Sequence, residues 1–155
     1  MNHDLLMKEA IDLSIKSVEN GGGPFGAVIT KNGEIISKSV NRVTKDNDPT
    51  AHAEILAIRE AAKQLKTFDL SGCTIYCSCE PCPMCFGAIY WARIDKIFYA
   101  CNRYDVNNHG FDDEHLYKEI KLPTGQREIS FSQLLRKEAM EAFKKWDEND
   151  EKIVY

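Results

Sequence analysis

Long apolar runs are absent from this 155-residue sequence, which excludes a chain built around membrane-spanning helices. Residues 1–10 are polar and amphipathic and lack the unbroken apolar segment of a secretory signal, so the expected compartment is the cytoplasm and no membrane partner is expected. An excess of basic charge is missing too. Lys and Arg number 20 against 24 Asp and Glu, which leaves a net charge of -4. A surface built mainly to grip phosphate backbones is therefore not expected, and nucleic acid is not the expected partner. Internal repeats, low-complexity tracts and interdomain linkers are also lacking, and the 43% hydrophobic content suits a single globular domain over residues 1–155. Cysteine is missing from the first 72 residues; the six cysteines stand at 73, 77, 79, 82, 85 and 101, the first five within thirteen residues. A disulfide scaffold spreads its cysteines along the chain, whereas such clustering in an intracellular protein points to metal binding or catalysis.

The spacing of apolar residues predicts the order α-β-β-α-β-α-β. Residues 3–20 read as an amphipathic helix, with Leu5, Ile11, Ile15 and Val18 at helical spacing, and Gly21-Gly22-Gly23-Pro24 stops it. Residues 25–31 and 34–40 read as strands joined at Asn32-Gly33, a dipeptide that tolerates positive φ at both positions and so favours a tight hairpin. A helix over 52–65 follows the turn and capping residues Asp48-Pro49-Thr50. A strand is expected at 74–77, a helix over 83–91 with Pro83 in its first turn, and a fourth strand at 96–100. This pattern specifies an α/β sandwich in which the helix-separated strands lie parallel in one sheet. Beyond it, 101–127 reads as polar and irregular with helical stretches and 130–146 as mostly helical. An apolar end, Ile153-Val154-Tyr155, follows a charged run.

Chemistry concentrates in Thr50-Ala51-His52-Ala53-Glu54 and Glu80-Pro81-Cys82-Pro83-Met84-Cys85. Cys82 and Cys85 are three apart at a helix start, so both sulfurs point to one side. The partial positive charge of the helix N-terminus favours their thiolates. With the His52 imidazole they make a donor set suited to zinc, and three protein ligands leave the fourth tetrahedral position for water. Two thiolates offset the metal's charge, so that water needs a neighbouring base. Glu54, two residues after His52, can supply it without ligating.

Plainer readings exist for each residue. Cys77 or Cys79 could complete a closed structural Cys3His centre. A redox role for the Cys-x-x-Cys pair would leave His52 and Glu54 unexplained. Cys73 and Cys101 read as small core hydrophobes. Phe25 can be plain core, Asn41 a turn residue and Trp91 ordinary packing, and Asp112 and Asp113 can cap the helix after them.

The stretches 23–28, 47–54 and 79–89 resemble the cytidine deaminase superfamily, in the branch containing guanine deaminases, tRNA adenosine deaminases and fungal cytosine deaminases. The likeness covers nearly the whole chain. Residues 110–120, Tyr90-Trp91-Ala92-Arg93 and the terminal tyrosine look like the bacterial guanine deaminase branch. Ala100-Cys101-Asn102-Arg103-Tyr104-Asp105 departs from the Gly-Ala-rich stretch of bacterial tRNA deaminases. The helix around Arg136, Lys137, Lys144 and Lys145 is offset by Glu138, Glu141, Asp147 and Glu148 and looks like a solvated face. The resemblance implies a three-layer α/β/α sandwich with a central mixed five-stranded sheet and one Zn2+ per subunit. It also implies a purine base as substrate and hydrolysis of guanine to xanthine and ammonia, with tRNA adenosine, cytosine or guanosine as alternative substrates. By the same likeness Asn41 hydrogen-bonds the base edge, Phe25 stacks on the ring and Asp113 helps the amino group leave. Trp91 and Tyr155 close the pocket, partly across a homodimer interface at which residues 130–155 are exchanged between subunits. A degenerate zinc scaffold that only assembles with a partner is a further alternative, against which the intact Glu54 argues.

Overall fold

In the computed structural model, which describes residues 2–155, one of the two inner strands of the sheet is β1 (Gly26–Lys31). It pairs antiparallel with β2 (Glu34–Val40) on one side and with β3 (Cys73–Cys79) on the other, and β3 pairs in parallel with β4 (Lys96–Cys101). The sheet order is β2-β1-β3-β4. Asn32 and Gly33 turn the hairpin with φ of 52° and 87°, a left-handed backbone that asparagine and glycine adopt more readily than other residues. β2, β3 and β4 run in one direction, as their helical connections dictate. The insertion of β1 between β2 and β3, opposed to both, makes the sheet mixed.

β1 is buried because helices cover both faces of the sheet. α1 (His3–Glu19) lays Leu6, Ala10 and Leu13 over Val28 and Tyr76 on one face. On the other, Ala27, Ile29 and Ile75 meet Ala53, Ala57 and Ala61 of the helix Ala53–Leu65 and Ile89 of the helix Pro83–Trp91. Successive residues of β1 thus feed opposite cores, the period-two pattern of a strand buried twice over. Gly26 permits this close stacking: a Cβ there would run into the Ala10 carbonyl oxygen and lie 2.8 Å from the Ser14 nitrogen. Between β2 and the second long helix the chain makes a one-turn helix, α2 (Val43–Asp46), too short for its periodicity to be read. The helices Ala53–Leu65 and Pro83–Trp91 are α3 and α4.

The sheet has four strands among the described residues, where the resemblance implied five. After β4 the chain is diverted into α5 (Arg103–Asn107) by a capping box. The Asn102 side chain accepts from Tyr104 N at 2.9 Å and Asp105 N at 3.1 Å, while the Asp105 carboxylate accepts from Asn102 N at 2.8 Å. The next element is α6 (Asp113–Lys121), whose start Asp112 caps by accepting from His115 N. Cys73 is core as expected, but Cys101 is exposed, because β4 is the sheet edge and its last three residues have no layer over them.

Residues up to Leu116 form one compact unit and Tyr117–Tyr155 a second. Within the second, Arg127 Nε donates to the Leu122 carbonyl and Glu128 N to the Glu119 carboxylate. A short 3-10 turn (Thr124–Gln126) precedes the main helix, α7 (Arg136–Asp147). That helix starts six residues later than the 130–146 segment read from the sequence. Leu135 stands in the left-handed region at φ 49°, and Ile129, Phe131, Leu134 and Leu135 are exposed, so the apolar residues of 129–135 have no surface to drive them into a helix. No helix among the described residues is long and apolar enough to cross a membrane.

Candidate metal centre and substrate cavity

His52 is the N-cap residue of α3 and Cys82 that of α4, and Pro83 opens α4 with its fixed φ. Both caps have extended backbones, which turn the two side chains toward each other from the starts of adjacent helices. Cys85 projects from the first turn of α4. His52 Nδ1 lies 3.6 Å from Cys82 Sγ and 3.5 Å from Cys85 Sγ. A tetrahedral zinc with ordinary Zn–N and Zn–S bonds needs an N···S spacing of about 3.6 Å, so the residues fit the metal as placed, with Nδ1 as the ligating nitrogen. Among the described residues this mutually close donor group stops at His52, Cys82 and Cys85. The closed Cys3His alternative therefore lacks its fourth ligand. Burial pushes the Cys77 thiol well up and the Cys79 thiol up to about 12, so both favour the protonated form.

The two cradle thiols behave differently. The neighbouring Cys85 thiol pulls the Cys82 thiol far below its ordinary value, and Cys82 together with burial drives Cys85 upward. The His52 imidazole is raised, first by its hydrogen bond with Cys82. Two thiolates this close ionise together only with a cation between them, which is the chemistry expected of a divalent-metal donor set.

Beside the donors lies a cavity of about 360 Å³, in the range of small-ligand pockets. Phe25, Asn41, His52, Glu54, Cys82 and Asp113 all line it. Glu54 is only 7% exposed, and burial, then the nearby Cys82 sulfur, pushes its carboxyl above the usual range. Asp113 is raised as well, first by burial and then by Cys82. Both carboxyls are thus shifted upward from the range of free ones. Asn41 is buried. Its side-chain oxygen accepts from Val43 N at 3.2 Å, which leaves its amide nitrogen as the donor it presents.

Sequence reasoning missed several lining residues. Phe111 meets Phe25 edge to face, with ring centroids 4.8 Å apart at 84°, and so fixes the plane of the predicted stacking ring. Its place two residues before Asp113 was the available signal. Glu80, within the cysteine motif, also lines the cavity, as does Val43 of the unpredicted α2. Trp91 ends α4, is 68% exposed and is not among the lining residues. Tyr155 is exposed at the end of the second unit.

Residues 1–101, which include the whole donor set, match the family described as the cytidine and deoxycytidylate deaminase zinc-binding region. The chain is 51% identical over 147 residues to the guanine deaminase of Bacillus subtilis (strain 168), covering 94% of each protein. An X-ray structure of guanine deaminase from Bacillus subtilis superposes with a TM-score of 0.97 at 49% identity, over 100% of this chain and 99% of that one. The tRNA-specific adenosine deaminase of Aquifex aeolicus is 45% identical over 100 residues, 64% of this chain and 66% of the relative.

Proposed function

Because the chain belongs to the cytidine and deoxycytidylate deaminase zinc-binding family, we propose that it is a zinc-dependent aminohydrolase that converts guanine to xanthine and ammonia. One zinc per chain would be held by His52, Cys82 and Cys85. The observation that carries this reading is the meeting, at one cavity, of three zinc-type donors with a buried carboxylate that is not one of them. When bound, the metal acts as a Lewis acid that makes a water nucleophilic near neutral pH. Glu54 would accept a proton from the attacking water and deliver it to N3 of the purine as the C2–O bond forms. Asp113 then carries the remaining hydroxyl proton to the amino group. The C2–N bond breaks, ammonia leaves and the C2 carbonyl forms. Phe25, braced by Phe111, offers its ring to the base, and the Asn41 amide donates to the base edge.

Guanine is favoured over a tRNA adenosine by identity that extends over 94% of both proteins, and by the net charge of -4. Assay of ammonia release from guanine, cytosine, adenine, guanosine and tRNA is expected to show guanine as the preferred substrate. Release from tRNA alone would move the assignment to the other branch, and release from none would leave a zinc scaffold. Thiolate ligands persist best in a reducing compartment, which favours a cytoplasmic site of action.

We further propose that residues 130–155 pack on a second copy of the chain, as a homodimer with exchanged C-terminal segments. Leu134, Leu135, Met140 and Phe143 are exposed on the second unit, more apolar surface than a solvated end carries. In this arrangement Trp91 and Tyr155 close the cavity. Deleting 153–155 is expected to lower kcat/KM by at least about tenfold with little change in Tm, as loss of a water-excluding contact does. Unchanged kinetics in that truncation would make the tail a bystander.

A further inference from the structure

Arg103 is unused by the mechanism above, yet its side chain lies between two acidic residues that flank the chemistry. Glu80 lines the cavity two residues before Cys82, and Glu114 directly follows Asp113. Arg103 Nη1 is 3.8 Å from one Glu80 oxygen, while Arg103 N donates to the other at 3.0 Å. Its Nε is 3.3 Å from the Glu114 carboxylate. All three side chains are about three-quarters buried. The Arg103 backbone is itself fixed, by the capping box at Asn102 and by Glu80 N donating to the Cys101 carbonyl at 2.8 Å. Its guanidinium also donates to Tyr104 OH at 3.0 Å and lies over that ring. From these contacts we propose that Arg103 is a positioning residue. It ties the loop before the metal ligands to the start of α6 and so holds Asp113 at the cavity.

Three features carry this beyond an ordinary ion pair. The two carboxylates come from segments more than thirty residues apart in sequence, so the clamp sets a tertiary distance rather than a local one. The guanidinium presents different nitrogens to the two carboxylates, Nη1 to Glu80 and Nε to Glu114, as ion-pair contacts, where a lysine ammonium is a single point of charge. The cavity gathers the carboxyls of Glu54, Glu80 and Asp113, and Arg103 is the cation placed between Glu80 and Glu114, which follows Asp113 at the start of α6.

The proposal rests on the deaminase reading, and on Asp113 acting in it. The test uses Arg103→Met and Arg103→Lys in the full-length zinc-loaded protein, alone and combined with Asp113→Asn. Arg103→Met is expected to lower kcat roughly ten- to a hundredfold, the usual effect of losing a group that orients a reacting one, with KM changed much less. Arg103→Lys should recover only part of the loss. In the Asp113→Asn background the Arg103→Met loss should shrink to about twofold or less, because the residue it positions is gone. Zinc content should match the unsubstituted protein, and amide hydrogen exchange should rise over 111–116 while the core strands keep their protection. Unchanged kcat, a full loss that persists beside Asp113→Asn, or exchange that rises throughout the molecule would each overturn the proposal. If Asp113→Asn turns over too slowly to compare, the local exchange signature decides. Failure of the unsubstituted protein to release ammonia from any base would instead sink the deaminase reading.

Discussion

Glu54→Gln is expected to keep its zinc and to lose turnover by roughly a hundredfold to ten-thousandfold, the range assigned to a positioned proton carrier. The substitution preserves shape and volume at a site that is 7% exposed, so packing around Ile55 and the cradle is left alone. Glu54 is outside the donor group, so the substitution removes none of the three metal donors. What disappears is a group able to accept one proton and give it back. Burial raises the Glu54 carboxyl above its ordinary range, which favours its holding a proton, whereas an amide can neither take nor give one. The loss should therefore fall on kcat, with guanine still bound. The decisive measurement pairs elemental analysis with steady-state kinetics on the same preparation. Near-normal turnover with zinc present would remove Glu54 from its role, while loss of zinc would show it to be a ligand.

Much of this was legible in the sequence because it is local. The hairpin at Asn32-Gly33 follows from backbone sterics of two residues, and both observed φ values are positive. The donor spacing of Cys82 and Cys85 follows from one turn of helix. His52 joins them because α3 and α4 begin side by side, which the α/β order makes natural. What the sequence hid depends on distance. α2 is a single turn and carries no period. Phe111 reaches Phe25 from 86 positions away, and its place two residues before Asp113 hints at the cavity but not at its ring partner. The missing fifth strand turns on Asn102 and Asp105, two polar residues whose capping box outweighs any tendency of the chain to continue as a strand. The misplaced start of α7 has the opposite cause: the apolar pattern is present over 129–135, but no surface within the unit meets it.

Stripping the metal with a chelator is expected to abolish ammonia release while leaving the protein folded, and adding zinc back should restore activity. The separation of fold from function follows from where the cores lie. The clusters around Ile29 and Ile75 and around Val28 and Tyr76 are closed by helices and strands without help from the donor residues. The metal-free chain should thus keep its far-UV circular dichroism. Only the third, smaller cluster of Ile55, Cys82 and Cys85 depends on the cradle. Zinc bound to the folded state alone adds stability by mass action, about 4 kcal/mol at a thousandfold excess over Kd. Tm should therefore fall on stripping and recover on reloading. Cys85→Ala provides the matching control: with two donors left, added zinc should restore neither turnover nor Tm at concentrations that saturate the parent protein. Full activity in metal-free protein, or zinc-restored activity in Cys85→Ala, would show that the water is activated by something other than an ion held at this cradle.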